Sequence, residues 1–188
     1  DDFVRRYGLR DFVLIVGLVE PRKNQLMLLH ALKETGLPVV VIGRHYDLGY
    51  YRLCREHAPK NSLFIDHLPH EQLASAFKAA RVHCLPSWME CAAFANVEAA
   101  LCGCALAVSD RTSEKEYFGD NAYYCDPGNL VSIRNAVLAA WRNHAADAPK
   151  REALREQFRT RYTWEAAARA TFAGYEAALA ARHGASAS

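Results

Sequence analysis

Long apolar runs are missing from this 188-residue chain. The longest, Phe12–Val19 and Leu37–Ile42, fall well short of the roughly 18 residues that a membrane-spanning helix needs. No membrane span is expected. Nor does a basic stretch leading into an apolar one open the chain, so no secretory leader is expected. Charge of either sign is not in excess: 23 Lys and Arg against 21 Asp and Glu leave a net +2 with no basic run. That balance removes nucleic acid and a polybasic lipid contact from the expected partners. Glycine and proline are few, at 10 and 7, which excludes collagen-like and low-complexity classes. The initiator Met is also missing, and a chain opening Asp1-Asp2-Phe3 is expected to be a piece of something longer.

Cysteine is present, but not in metal-ligand spacing. Cys54, Cys84, Cys91, Cys102, Cys104 and Cys125 form no Cys-x-x-Cys pair, and four of them sit in apolar stretches. Three disulfides or a ligand set can be drawn from six cysteines. Small buried thiols in a reducing, cytoplasmic compartment fit the spacing better.

The rest of the composition, 51% apolar and 23% charged, is that of one folded domain able to bury a core. Phe12–Val16, Val39–Ile42, Leu63–Ile65, Val82–Leu85, Ala105–Val108 and Ala122–Cys125 read as strands. Helix-period segments lie between them at Asn24–Glu34, Leu48–His57, His70–Ala80 and Phe94–Cys102, the last ended by Gly103. This alternation predicts an α/β fold, a Rossmann-like parallel sheet of about six strands with helices on both faces. After Pro127-Gly128 the pattern turns helical, over Leu130–His144, Pro149–Arg159 and Trp164–Arg182. The expected organisation is a linker end over residues 1–10, the Rossmann-like domain over 11–145, C-terminal helices over 146–182 and a frayed tail over 183–188. In the last helix Trp164, Ala168, Phe172, Tyr175 and Leu179 form an apolar stripe. It could pack on this domain's own core, on a partner domain or on a membrane surface.

Open parallel sheets bind ligands beyond the carboxyl ends of their strands, which directs attention to the loops there. After the first strand, Gly17 permits a close turn, and Arg22-Lys23 set two cations beside the start of the next helix, an arrangement suited to phosphate. After the fourth strand, Glu90 leads into a helix in which Glu98 is the only charge between Cys91 and Ser109. Phe94, Val97 and Leu101 mark one face of that helix and alanines cover most of the rest, so burial is expected, and a buried carboxylate needs a partner. A loop acid, a helix N-terminus and a helix acid together suit a polyhydroxylated anion.

These residues carry a family resemblance. The chain resembles the C-terminal, donor-binding half of a retaining glycosyltransferase of family four (group 1), which has the two-domain GT-B architecture. The Glu-x7-Glu motif at Glu90 and Glu98 is its most specific element. Glu20-Pro-Arg-Lys-Asn-Gln25, Glu116-Tyr-Phe-Gly-Asp120 with Ala122–Pro127, and Tyr162-Thr-Trp-Glu165 support it in order and spacing.

The resemblance implies transfer of a sugar from a GDP- or UDP-sugar, with retention of configuration, to a glycan or lipid-linked acceptor in bacterial polysaccharide or lipopolysaccharide synthesis. It implies that Lys23 and Arg22 neutralise the diphosphate, with Gly17 and Leu18 at its backbone. By the same likeness the amides around Ala93, Phe94 and Ala95 meet sugar or phosphate. Glu90 binds sugar hydroxyls near the reacting carbon, Glu98 the ribose, and the loop with His67 and Leu68 lies against the base. Neither a metal nor a cofactor beyond the nucleotide sugar is implied. The partner implied is a missing N-terminal domain bearing the acceptor site, through which the enzyme would touch the inner face of the membrane. The isolated half would be inactive. Three positions depart from the pattern: Leu18 replaces an Arg, Ala92-Ala93 replaces Phe-Gly or Pro-Gly, and Asp66 replaces a glycine. They keep open a non-catalytic nucleotide- or sugar-binding domain that assists another transferase.

Overall fold

The computed structural model describes residues 2–91, 93–111 and 113–185. Six strands, β1 (Val13–Val16), β2 (Val39–Ile42), β3 (Ser62–Ile65), β4 (Val82–Leu85), β5 (Ala105–Ser109) and β6 (Tyr123–Cys125), form one parallel sheet in the order 3-2-1-4-5-6. Parallel strands buried on both faces read as continuous apolar runs, and β1, β2, β4 and β5 are buried along their whole length. Their side chains alternate between two cores. Val13, Ile15, Val39, Val41, Val82 and Cys84 meet helices α2 (Gln25–Leu32) and α7 (Leu130–Arg142). Leu14, Val40, Ile42, Leu106 and Val108 face the layer of α4 (His70–Ala79), α5 (Phe94–Leu101) and α8 (Ala148–Arg161). Helix α3 (Leu48–His57) caps the α2 side with its buried Cys54.

Three elements differ from the sequence reading. Residues 2–7, with no helix expected, form α1 (Asp2–Tyr7), which buries Phe3 against Phe12. A short α6 (Glu114–Phe118) follows β5 and buries Phe118 against Phe158. Asn24, read as the first helical residue, is instead left-handed, with φ 64°, between a 3₁₀ turn at Pro21–Lys23 and α2.

One burial expectation is also overturned, and one open alternative is closed. Helix α5 turns Asn96, Ala99 and Ala100 to the sheet, while Phe94 is 66% exposed and Leu101 also reaches solvent. Small residues let the helix sit close to β4 and β5, and the large apolar ones are left outside. The stripe of α9 (Trp164–Ala185) does not pack on the domain's own core: Trp164, Phe172, Tyr175 and Leu179 are all exposed. Residues 186–188 of the expected tail and Ala92 lie outside the described residues. All six cysteines are free, and Cys54, Cys84, Cys104 and Cys125 are buried. Among the described residues, no helix is long and apolar enough to cross a membrane.

Candidate functional site

The strand order places a reversal between β1 and β4, where connections leave in opposite directions. These strands pair only at Val13 with Val82 and Leu14 with His83, then part toward their carboxyl ends. A crevice therefore opens where the loops after β1 and β4 face each other.

Those two loops carry the residues singled out in the sequence. Lys23 Nζ lies 2.6 Å from Glu90 Oε1, although 67 positions separate them in the chain. Both side chains are largely buried, Lys23 at 14% and Glu90 at 7% exposure. Arg22 reaches the same carboxylate oxygen at 3.3 Å, donates to the Met89 carbonyl and pairs with Glu20 at 2.6 Å. Gly17 holds φ 146°, a conformation that L side chains rarely adopt, and its Cα faces the Lys23 stem. Gly43, after β2, is needed for a different reason: a Cβ there would stand 1.8 Å from the Gly17 carbonyl oxygen.

Asn24 fixes this arrangement. Its buried amide donates to the carbonyls of Pro86 and Pro127, both at 2.9 Å, so the loops after β1, β4 and β6 share one clamp. The Trp88 amide donates to the Arg22 carbonyl, and Arg111 lies over the Trp88 ring while pairing with Asp126. Gln25 closes the turn from below, donating to the Leu18 carbonyl and accepting from the Glu20 amide.

The remaining expected residues fall on both sides of this centre. Ala93 precedes α5 and its carbonyl accepts from the Asn96 and Val97 amides, so the amides of Phe94 and Ala95 are the ones left without a helical acceptor, and Ala95 is partly buried. Leu18 is exposed at the loop. Glu98 is half-buried, not enclosed: burial raises its carboxyl above the usual range while the nearby His70 charge lowers it. His67 is exposed, whereas Leu68 is buried and lines a cavity of about 200 Å³ with Phe3, Tyr7 and Gln72. Among the described residues, no group of three His, Cys, Asp or Glu could hold a metal.

Besides Glu90, the fold encloses a carboxylate that the sequence reading missed. Glu114 is 2% exposed and accepts from Asn96 Nδ2 at 3.3 Å, and burial pushes its carboxyl up to about 7. In the sequence it sits inside the polar run Ser113-Glu-Lys-Glu116, which reads as surface. Asn96 in turn approaches the fully buried His83 without a formed hydrogen bond, and burial drives that imidazole down to about 3.

A six-stranded parallel sheet with helices on both faces defines a Rossmann-like α/β domain, and the cation and carboxylate that meet at its switch point mark the candidate site. Comparison with known proteins makes the assignment narrower. The chain belongs to the family of glycosyl transferases group 1, which it matches over residues 4–161. It is 28% identical over 146 residues to O-antigen chain mannosyltransferase B of Escherichia coli, covering 72% of this chain and 38% of that protein. Sucrose-phosphate synthase from Thermosynechococcus elongatus has the same fold at TM-score 0.82 and 22% identity, over 96% of this chain and 49% of that one. An Escherichia coli trehalose-6-phosphate protein bound with UDP-2-fluoro glucose aligns at TM-score 0.66 and 10% identity, over 82% and 42% of the two chains. The chain thus spans half or less of the length of these proteins and has the fold of one half of a GT-B glycosyltransferase.

Proposed function

We propose that this chain is the donor-binding half of a retaining glycosyltransferase that takes its sugar from a GDP- or UDP-sugar. The acceptor is a glycan or lipid-linked glycan in bacterial polysaccharide or lipopolysaccharide synthesis, and it is held by a further domain that brings the enzyme to the inner face of the membrane. The observation that carries this reading is the meeting of Lys23 and Glu90 across the sheet's switch point. The O-antigen relative and the neighbour that holds a UDP-sugar analogue support it.

Lys23 is held by Glu90 in the structure. An entering diphosphate competes for the ammonium, and Lys23 exchanges a carboxylate for phosphate oxygens. Glu90 is thereby released to accept from sugar hydroxyls beside the reacting carbon. As the nucleoside diphosphate leaves, negative charge grows on the phosphate, where Lys23, Arg22 and the N-terminal dipole of α5 oppose it without reorganising. In this reading Gly17 leaves the diphosphate free to approach the backbone, Glu98 binds the ribose, and the loop that carries His67 and Leu68 lies against the base.

Calorimetric titration of the 188-residue chain with UDP-glucose and GDP-mannose tests the reading. Saturable binding of one of them is expected, weakened about tenfold or more by Lys23→Met, since a charge-assisted contact to phosphate is lost. No saturable binding of either, or an affinity untouched by Glu98→Ala, overturns it. Leu18, exposed where the family carries an arginine, favours a second reading in which the domain binds donor without transferring it. Transfer by the longer protein that appears only with Leu18→Arg selects that one.

A further inference from the structure

Beneath the Lys23–Glu90 pair lies a row of buried polar side chains that the donor reading leaves unused. His83 on β4, Asn96 on α5 and Glu114 at the start of α6 are each at least nine-tenths buried. Only one hydrogen bond joins them, from Asn96 Nδ2 to Glu114 Oε1. Glu114 Oε2, Asn96 Oδ1 and both His83 ring nitrogens are enclosed without a partner. Polar atoms are seldom left so, because each forgoes its hydration for nothing.

Glu114 is also in electrical contact with the site above it. Burial dominates its hold on a proton and a bond from its own backbone amide opposes that; the Glu90 carboxylate then raises the hold, and the Asn96 bond and the Lys23 ammonium lower it. From the other elements packed around it come Asn96 on α5 and Tyr124 on β6. Burial first, and then the Asp120 and Glu114 charges, hold the Tyr124 hydroxyl up, and Lys115 lies against its ring. Glu114 therefore sits in a balance that the Lys23 charge helps to set. A diphosphate on Lys23 cancels that charge and adds negative charge of its own nearby, and both changes favour the neutral carboxyl.

We propose that Glu114 is a positioning residue of the donor site, binding a proton from solvent when a nucleotide sugar arrives and holding Asn96, and so the first turn of α5, in the donor-bound arrangement. The proton settles on Oε2, the oxygen without a partner, while Oε1 keeps the Asn96 bond. The inference rests on the donor reading above and adds to it a residue and a coupling that the Glu-x7-Glu motif does not contain.

Calorimetry of the chain with UDP-glucose and GDP-mannose, in buffers of different ionisation enthalpy, reads the proton directly. The diphosphate of a nucleotide sugar has no titrating proton near neutrality, and comparison with Glu114→Gln cancels any contribution from Glu98. With the free carboxyl at about 7 and a rise of about one unit on binding, uptake of roughly half a proton at about pH 7.5 is expected. Wild-type affinity should fall roughly fivefold between about pH 6 and about pH 8, a slope that Glu114→Gln removes. Binding with the same proton uptake in both chains overturns the inference and leaves the donor reading standing, whereas absence of binding overturns the donor reading first. A carbon-13 NMR titration of the wild-type carboxyls reads the same proton without a mutation. A Glu114 signal that titrates in the ordinary Glu range, or that UDP-glucose leaves unmoved, overturns the inference as well.

Discussion

His83 and Glu114 should give the chain a stability that changes little between about pH 7 and about pH 5, through two opposed contributions that substitution separates. The imidazole takes its proton near 6.5 when unfolded and at about 3 when folded, because burial disfavours the cation. Below pH 6.5 the unfolded chain binds the extra proton, so stability is lost as pH falls; the loss reaches about 2 kcal/mol by pH 5. Glu114 works the other way. Its carboxyl takes a proton at about 7 when folded against 4.5 when unfolded. Over that window the folded chain holds more protons and gains about 2 kcal/mol on the same descent. Urea unfolding followed by tryptophan fluorescence at the two pH values should therefore show His83→Leu gaining about 2 kcal/mol on acidification and Glu114→Gln losing about as much. A His83→Leu chain with the wild-type pH dependence would refute the argument. It would mean that the imidazole shares a proton with Glu114 through Asn96 and that the two titrate as one pair.

Gly43→Ala puts a methyl 1.8 Å from the Gly17 carbonyl oxygen, so strand ends must part; a loss of about 3 kcal/mol is expected by urea unfolding, with weakened nucleotide-sugar binding because Gly17 moves. Asn24→Ala strands the carbonyls of Pro86 and Pro127 and keeps a side chain in a left-handed conformation, for about 3 kcal/mol by the same assay. Asn24→Gly should recover only the part due to conformation. Lys23→Met leaves a mostly buried carboxylate at Glu90 without its main partner and should destabilise the chain by about 3 kcal/mol in the same urea assay.

The fold was largely legible because β1, β2, β4 and β5 are buried on both faces and announce themselves as apolar runs between helix-period segments. Helices α1 and α6 were not, since six and five residues are too few to show a period. At α5 the reading failed through a wrong premise. Large apolar residues were assigned to the buried face, but close packing on the sheet selected Asn96, Ala99 and Ala100 and turned Phe94 outward. The error carried over to the acids: Glu98, alone in an apolar stretch, looked enclosed and is half-exposed, while Glu114, amid other charges, was not singled out and is enclosed. Local composition reports what a segment could bury, and only tertiary contacts decide which side chains it does bury.

Lys23 and Glu90 were each legible, but their pairing was not, because spacing along the chain says nothing about which strands are neighbours. The order 3-2-1-4-5-6 supplies that information by setting the loops after β1 and β4 on either side of one crevice. A salt bridge across such a crevice would ordinarily be a poor foundation, since a ligand that displaces it removes what holds the loops together. Here the loops do not depend on it. Asn24 ties Pro86 and Pro127, and the Trp88 amide ties Arg22, through buried or backbone hydrogen bonds that a diphosphate does not contest. On the proposed reading, Lys23 then leaves Glu90 for a phosphate while the backbone that presents both stays fixed. A preformed anion site needs this separation between the bonds that hold the loops and the bonds that a ligand exchanges.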